Sequence, residues 1–207
     1  MNLKQNIVII DYGVGNTFSV SNAIKHLGYR KVTISDQESV IDNADVLILP
    51  GVGAFEEAIN NLKSLGLDEI LHKTILVRKK PILGICVGMQ LMATFSEENG
   101  IHNGLNWIEG KVTKLDLPAE FAVPHVGWNN VTYSNPLFGV IPSESNFYFD
   151  HSFHFDCEKK YVTGYSDYGL KVTASIQKEN VFGVQFHPEK SQTNGLKLFR
   201  GFFNLIK

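Results

Sequence analysis

Short β-branched runs alternate with segments of helical period through the first half of the chain. Ile7-Val8-Ile9-Ile10 is a continuous apolar run of strand length, the pattern of a strand whose sheet is covered on both faces. Asp11-Tyr12-Gly13-Val14-Gly15-Asn16 interrupts it, and Phe18, Val20, Ala23, Ile24 and Leu27 follow at helical spacing, with Gly28 placed to close that helix. The cycle repeats with Val32-Thr33-Ile34, Val46-Leu47-Ile48-Leu49 and Pro81-Ile82-Leu83-Gly84-Ile85 as strands. Between the last two, Ala58, Leu62, Leu65 and Ile70 predict a helical segment broken at Gly66. Strand, crossover helix and strand again predict a parallel sheet wrapped by helices.

From about residue 107 the texture changes. Trp107-Ile108-Glu109-Gly110-Lys111-Val112, Asn129-Asn130-Val131-Thr132-Tyr133, Phe147-Tyr148-Phe149 and Lys171-Val172-Thr173-Ala174-Ser175-Ile176 read as exposed or edge strands. Val181-Phe182-Gly183-Val184-Gln185-Phe186 returns to the buried-strand pattern, and Leu196, Leu198, Phe199, Phe202, Phe203 and Ile206 mark a last helix. The expected fold is α/β: an open, mostly parallel, flavodoxin-like sheet flanked by helices, with antiparallel strands added in the second half. In such sheets ligands bind beyond the carboxyl ends of the strands. Loops leave those ends after Ile10, Leu49, Ile85 and Phe186.

At 207 residues the chain is long enough for one large domain or two small ones, and no repeat or Gly/Ser/Pro-rich linker divides it. A single domain over residues 1–207 is therefore expected, with no need of a disulfide or metal staple. Nineteen basic and 21 acidic residues leave a net charge of −2, without the basic stripe of a general nucleic-acid binder. No apolar stretch approaches the roughly 18 residues of a membrane span, and Met1–Asn6 carries no signal-peptide core. Two distant cysteines, Cys86 and Cys157, form neither a disulfide framework nor a Cys-x-x-Cys pair. The expectation is a cytoplasmic protein that engages neither nucleic acid nor membrane.

The loops carry the chemistry. Gly84-Ile85-Cys86-Val87-Gly88 places one cysteine at a strand-to-helix turn, with Met89, Leu91 and Met92 continuing as a helix. That is the pattern of a nucleophile elbow, where a strained turn pushes the side chain outward and the helix dipole favours thiolate. A small buried cysteine is the alternative. Phe186-His187-Pro188-Glu189-Lys190-Ser191 offers His187 as a base and Glu189 as its orienting partner. Pro50-Gly51-Val52-Gly53 lacks the third glycine of a dinucleotide fingerprint, since Glu56 stands there, so Gly53 N–H is read with Val87 N–H as an oxyanion hole. His151 and His154 are spaced to fall on opposite faces of an extended strand, which favours ordinary polar contacts over a metal site. Cys157, between Asp156 and Glu158 and without elbow glycines, reads as structural, and Trp128 as either a buried ring or a surface anchor.

Together these motifs resemble the triad-type, class I glutamine amidotransferases. More narrowly, Asp11-Tyr12-Gly13-Val14-Gly15-Asn16, Pro124-His125-Val126-Gly127-Trp128-Asn129, Tyr148-Phe149-Asp150-His151-Ser152 and Lys190-Ser191 look like the glutaminase subunits of imidazole glycerol phosphate synthases. The resemblance implies that Cys86 attacks the side-chain amide of L-glutamine to form a thioester, that His187 shuttles the proton, and that Glu189 orients His187. It implies that Gln90, Glu98, Ser152 and Phe153 hold the α-amino and α-carboxylate groups. It also implies a heterodimer with a (β/α)₈-barrel cyclase subunit that takes the ammonia, with Asn16, Ser19, Trp128, Tyr148 and Lys190 at the interface or gate, and no cofactor or metal. Val14, Ser19 and Asp150 depart from the family's usual Pro, Asn and apolar residues. A paralogue feeding ammonia to a surface-sugar amidination enzyme is therefore an alternative, as is a silent subunit that only binds its partner.

Overall fold

Every residue of three first-half runs is buried, in β1 (Ile7–Ile10), β3 (Val46–Gly51) and β4 (Ile82–Cys86). The structure, a computed structural model, describes residues 3–139, 141–142 and 144–206; the two ends of the expected 1–207 domain, with Val140 and Ser143, lie outside the described residues. β2 (Val32–Ser35) is half-buried at the sheet edge. Helix α1 (Thr17–His26) starts where the Asn16 side chain accepts from Ser19 N–H at 3.4 Å. It ends at Gly28, whose φ of +94° lets its N–H reach back to the Lys25 carbonyl. After α2 (Glu38–Asp42), helices α3 (Phe55–Ser64) and α4 (Leu67–His72) are separated at Gly66, as the apolar spacing predicts. Helix α5 (Val87–Gln90) is a single turn, shorter than the helix expected through Met92. Met89, Leu91 and Met92 are buried there in a tight turn instead.

The second half supplies β5 (Phe95–Ser96), β6 (His102–Asn103), β7 (Gly110–Lys114), β8 (His125–Tyr133), β9 (Ser145–His151), β10 (Phe153–Cys157), β11 (Val162–Asp167), β12 (Lys171–Lys178) and β13 (Val181–Val184). Helix α6 (Gln192–Leu205) closes the chain, burying Leu198, Phe199, Phe202 and Phe203. Among the described residues nine strands form one sheet in the order β2-β1-β3-β4-β13-β12-β11-β8-β9. β2, β1, β3, β4 and β13 run parallel, and β12, β11, β8 and β9 add antiparallel neighbours. The expected architecture is present, with one addition: β10, β7, β5 and β6 form a separate four-stranded sheet.

Four boundaries differ from the sequence reading. Trp107 and Ile108 do not begin a strand; both N–H groups donate to the Met92 carbonyl, so the chain turns there and β7 starts at Gly110. β3 and β4 run on through Gly51 and Cys86, which pair with each other. Pro50 is tolerated inside β3 because the β1–β3 ladder has already ended at Ile48. β13 stops at Val184, although Gln185 N–H still donates to the Ala174 carbonyl. The carboxyl ends of β3, β4 and β13 therefore share one edge of the sheet, where the parallel crossovers leave room for a ligand.

Candidate active site

Cys86 is the last residue of β4 and the residue before α5, with φ +54° and ψ −113°. A non-glycine residue held there stores backbone strain and re-aims its side chain. The two flanking glycines do something different from what the sequence suggests. A Cβ on Gly88 would lie 1.8 Å from the Leu49 carbonyl oxygen, so this residue is glycine to let the turn press against β3. The thiol is not pushed into bulk solvent: Cys86 is 3% exposed and faces a cavity of about 280 Å³. Nor does one helical turn carry a dipole of any size, so sulfur chemistry here depends on side chains.

That cavity is lined by Val52, Gly53, Cys86, Val87, Gln90, Glu98, Pro124, Asp150, His151, Ser152, Phe153 and His187. The structure thus brings together every expected oxyanion and glutamine-binding residue with Cys86 and His187. His187 Nδ1 lies 2.9 Å from Glu189 Oε1, both side chains being nearly inaccessible. Burial alone would push the imidazole down. Hydrogen bonds with Cys86 and Glu189, and the charges of both, outweigh it and carry His187 up to about 10. The loop bearing it is clamped to β9. His187 N–H donates to the Tyr148 carbonyl at 2.8 Å, Tyr148 N–H donates to Ser191 Oγ at 3.0 Å, and the Ser191 hydroxyl donates to the His187 carbonyl at 2.6 Å.

The polar wall opposite has a determined hydrogen-bond sense. The Phe153 carbonyl can only accept, so the Gln90 atom 2.9 Å from it is the amide nitrogen. The same nitrogen donates to Gln185 Oε1 at 3.1 Å. Both Gln90 N–H groups are then spent, and only its oxygen is left to accept from a ligand such as an ammonium group. Glu98 Oε2 accepts from Phe55 N–H at 2.8 Å and presents its carboxylate to the same cavity. Behind this wall, His151 donates through Nδ1 to the Phe153 carbonyl at 2.9 Å and accepts through Nε2 from His125 Nδ1 at 3.0 Å. Burial keeps both rings neutral, lowering His125 to about 4 and His151 to about 3.

Some expectations change here. His151 and His154 do not sit on one strand, because β9 and β10 part at Ser152. His151 has its polar partners, but His154 Nδ1 is buried without one among the described residues. Among those residues no group of three or more His, Cys, Asp or Glu could hold a metal. Trp128 is a surface ring, 48% exposed, packed edge-on to Tyr148 with centroids 6.1 Å apart. Lys190 Nζ sits 5.3 Å above that tyrosine ring and 4.0 Å from Asp150 Oδ2. Trp128, Tyr148 and Lys190 therefore form one patch beside the cavity, while Asn16, accepting from Ser19 N–H, caps α1, which packs against the Pro188–Lys190 turn. Tyr12 was not singled out by the sequence. Its buried hydroxyl donates to the Pro50 carbonyl at 2.6 Å and braces the loop before Gly53. Burial, then the charge of Cys86, raises that phenol far above its usual range.

Over residues 8–205 the chain matches the family model described as glutamine amidotransferase class-I. It is 46% identical to imidazole glycerol phosphate synthase subunit HisH 2 of Vibrio vulnificus, across 97% of this chain and 95% of that one. It is likewise 46% identical to subunit HisH of Moorella thermoacetica, with 97% and 95% covered. Subunit HisH 1 of Campylobacter jejuni is 45% identical, with 96% and 100% covered. In fold it is similar to a crystal structure of a glutamine amidotransferase, with a TM-score of 0.76 at 17% identity, covering 96% of this chain and 98% of that one. It is also similar to PurLQS from Thermotoga maritima, with a TM-score of 0.71 at 17% identity, covering 99% and 100%.

Proposed function

Because the chain belongs to the class-I glutamine amidotransferases, matched over residues 8–205, we propose that it is the glutaminase subunit of an imidazole glycerol phosphate synthase. It releases ammonia from L-glutamine for histidine biosynthesis, as one subunit of a larger enzyme. The observation that carries the catalytic reading is the shared cavity: a strained Cys86 faces it beside His187, whose other ring nitrogen is held by Glu189 at 2.9 Å.

In this reading the Cys86 sulfur bonds to the amide carbon of glutamine, and the carbonyl electrons move onto oxygen. Gly53 and Val87 N–H groups receive that oxyanion. Collapse expels the amine, which takes a proton from the His187 imidazolium and leaves as ammonia. His187 then takes a proton from water as it attacks the thioester, the carbon–sulfur bond breaks, its electron pair returns to Cys86 as thiolate, and glutamate is released. Glu189 keeps the ring in one tautomer and supports its charge. Glu98 and the Gln90 oxygen suit the α-ammonium group, and the Ser152–Phe153 segment suits the α-carboxylate.

The exposed Trp128–Tyr148–Lys190 patch and the neighbouring start of α1 support a partner face, to which we assign a (β/α)₈-barrel cyclase in a heterodimer. A single glutaminase domain over residues 1–207, working in the cytoplasm, completes the proposal. No described helix is long and apolar enough to cross a membrane. The test is glutamate release from glutamine, with and without the barrel subunit and its ligand. Wild type turns over with the partner present, and Cys86→Ala loses at least about a thousandfold. Activity persisting in Cys86→Ala would overturn the assignment.

A further inference from the structure

We propose that Gln185 is a further catalytic residue: its side-chain N–H donates to the Cys86 sulfur and stabilises the negative charge there. The inference rests on Cys86 being the nucleophile of the proposed reaction.

The orientation of the Gln185 amide follows from the network rather than from its own contacts. Its oxygen is fixed by the Gln90 N–H that donates to it at 3.1 Å, because that Gln90 nitrogen is itself fixed by the Phe153 carbonyl at 2.9 Å. The nitrogen of Gln185 must therefore face the other way, where the Cys86 sulfur lies at 3.6 Å. Gln185 is fully buried, so no water competes for that donor.

A neutral thiol sulfur is a poor acceptor and a thiolate a strong one. A donor aimed at this sulfur thus favours the charged state over the neutral one. The Asp150 carbonyl, 3.9 Å away, has the opposite preference, since it can only accept from the protonated thiol. His187 supplies the positive partner across the cavity, and Gln185 supplies a donor that carries no charge and does not titrate. The sulfur is negative twice in the cycle. Before attack its electron pair is poised to bond to the amide carbon, and on hydrolysis the carbon–sulfur bond breaks and returns that pair to sulfur. Gln185 raises the thiolate fraction before attack, stabilises the departing sulfur on hydrolysis, and takes no part in the proton transfers, which stay with His187.

Two variants test this in the full chain with its synthase partner, in a Cys157→Ser background so that one thiol reports. Gln185→Met removes the donor with little change in size. Glutamate release is expected to drop about tenfold or more in kcat, and the acid limb of Cys86 alkylation by iodoacetamide to move up by about one pH unit. Gln185→Glu keeps the shape and the acceptor for Gln90 but has a donor only while its carboxyl is protonated. Its kcat should fall as pH rises from about 6 to 8, where wild type does not. Unchanged alkylation profiles in both folded variants, with or without a loss of rate, would overturn the role of Gln185. If alkylation of Cys86 in wild type leaves glutamate release intact, the nucleophile assignment fails instead.

Discussion

The two cysteines occupy matching places in the two sheets. Cys86 ends β4 and pairs across the ladder with Gly51; Cys157 ends β10 and pairs with Gly110. Both partner glycines are there because a Cβ would strike neighbouring atoms, within 2.6 Å at Gly51 and 2.5 Å at Gly110. Glycines around a cysteine therefore do not distinguish a nucleophile from a structural thiol. The difference lies in the backbone and the neighbours. Cys86 has φ +54°, the Gln185 donor and a positively biased His187. Cys157 has burial first, then the charges of Asp156 and Glu158, which push its thiol up to about 12. One environment offers the sulfur a hydrogen-bond donor and a positive neighbour, and the other suppresses the thiolate.

The largest expected effect that breaks this comparison is Gly88→Ala. The new methyl would meet the backbone of Leu49, which cannot swing aside as a side chain can. A loss of more than about 3 kcal/mol is expected, seen as a thermal midpoint lower by roughly 10 °C. Gly110→Ala meets the Asp156 carbonyl oxygen at 2.5 Å rather than 1.8 Å but adds the strain of a φ of +151°, so it too should destabilise. No loss in Gly88→Ala would mean that the elbow does not press against β3.

A smaller effect separates the histidines near the two thiols. His187 is raised to about 10, so its contribution to stability is complete below about pH 6.5 and is lost as pH climbs toward 10. His154, on the Cys157 strand, is lowered by burial, with Asp156 pulling weakly the other way. Below about pH 6.5 the unfolded chain gains a proton there more readily than the folded chain, so stability falls as pH drops. Thermal midpoints across pH check both signs. His187→Gln should flatten the alkaline decline and leave the acid one, and His154→Gln should leave the alkaline decline and remove only its own share of the acid one, since burial lowers His125 and His151 as well.

How much of this could be read beforehand differs between the halves. β1, β3 and β4 are buried on both faces, so their sequences are unbroken apolar runs that admit one reading. β10 intersperses His154 and Asp156 with its aromatics, and β5 and β6 are two residues each, too short to show a period. Their separate sheet was invisible for that reason. In the site, Cys86, His187 and Glu189 were legible as motif positions after strands, and the cavity gathers the residues around them. Gln185 and Tyr12 were not, because a buried polar side chain acts through long-range bonds that no local spacing encodes.

The claim that most needs testing is that turnover passes through sulfur at the end of β4. Quenching the partnered enzyme in acid during steady turnover and mapping the peptides by mass should find a glutamyl group on the peptide carrying Cys86, absent in Cys86→Ala. A glutamyl group on Cys157, or none on either thiol while glutamate accumulates, would contradict it.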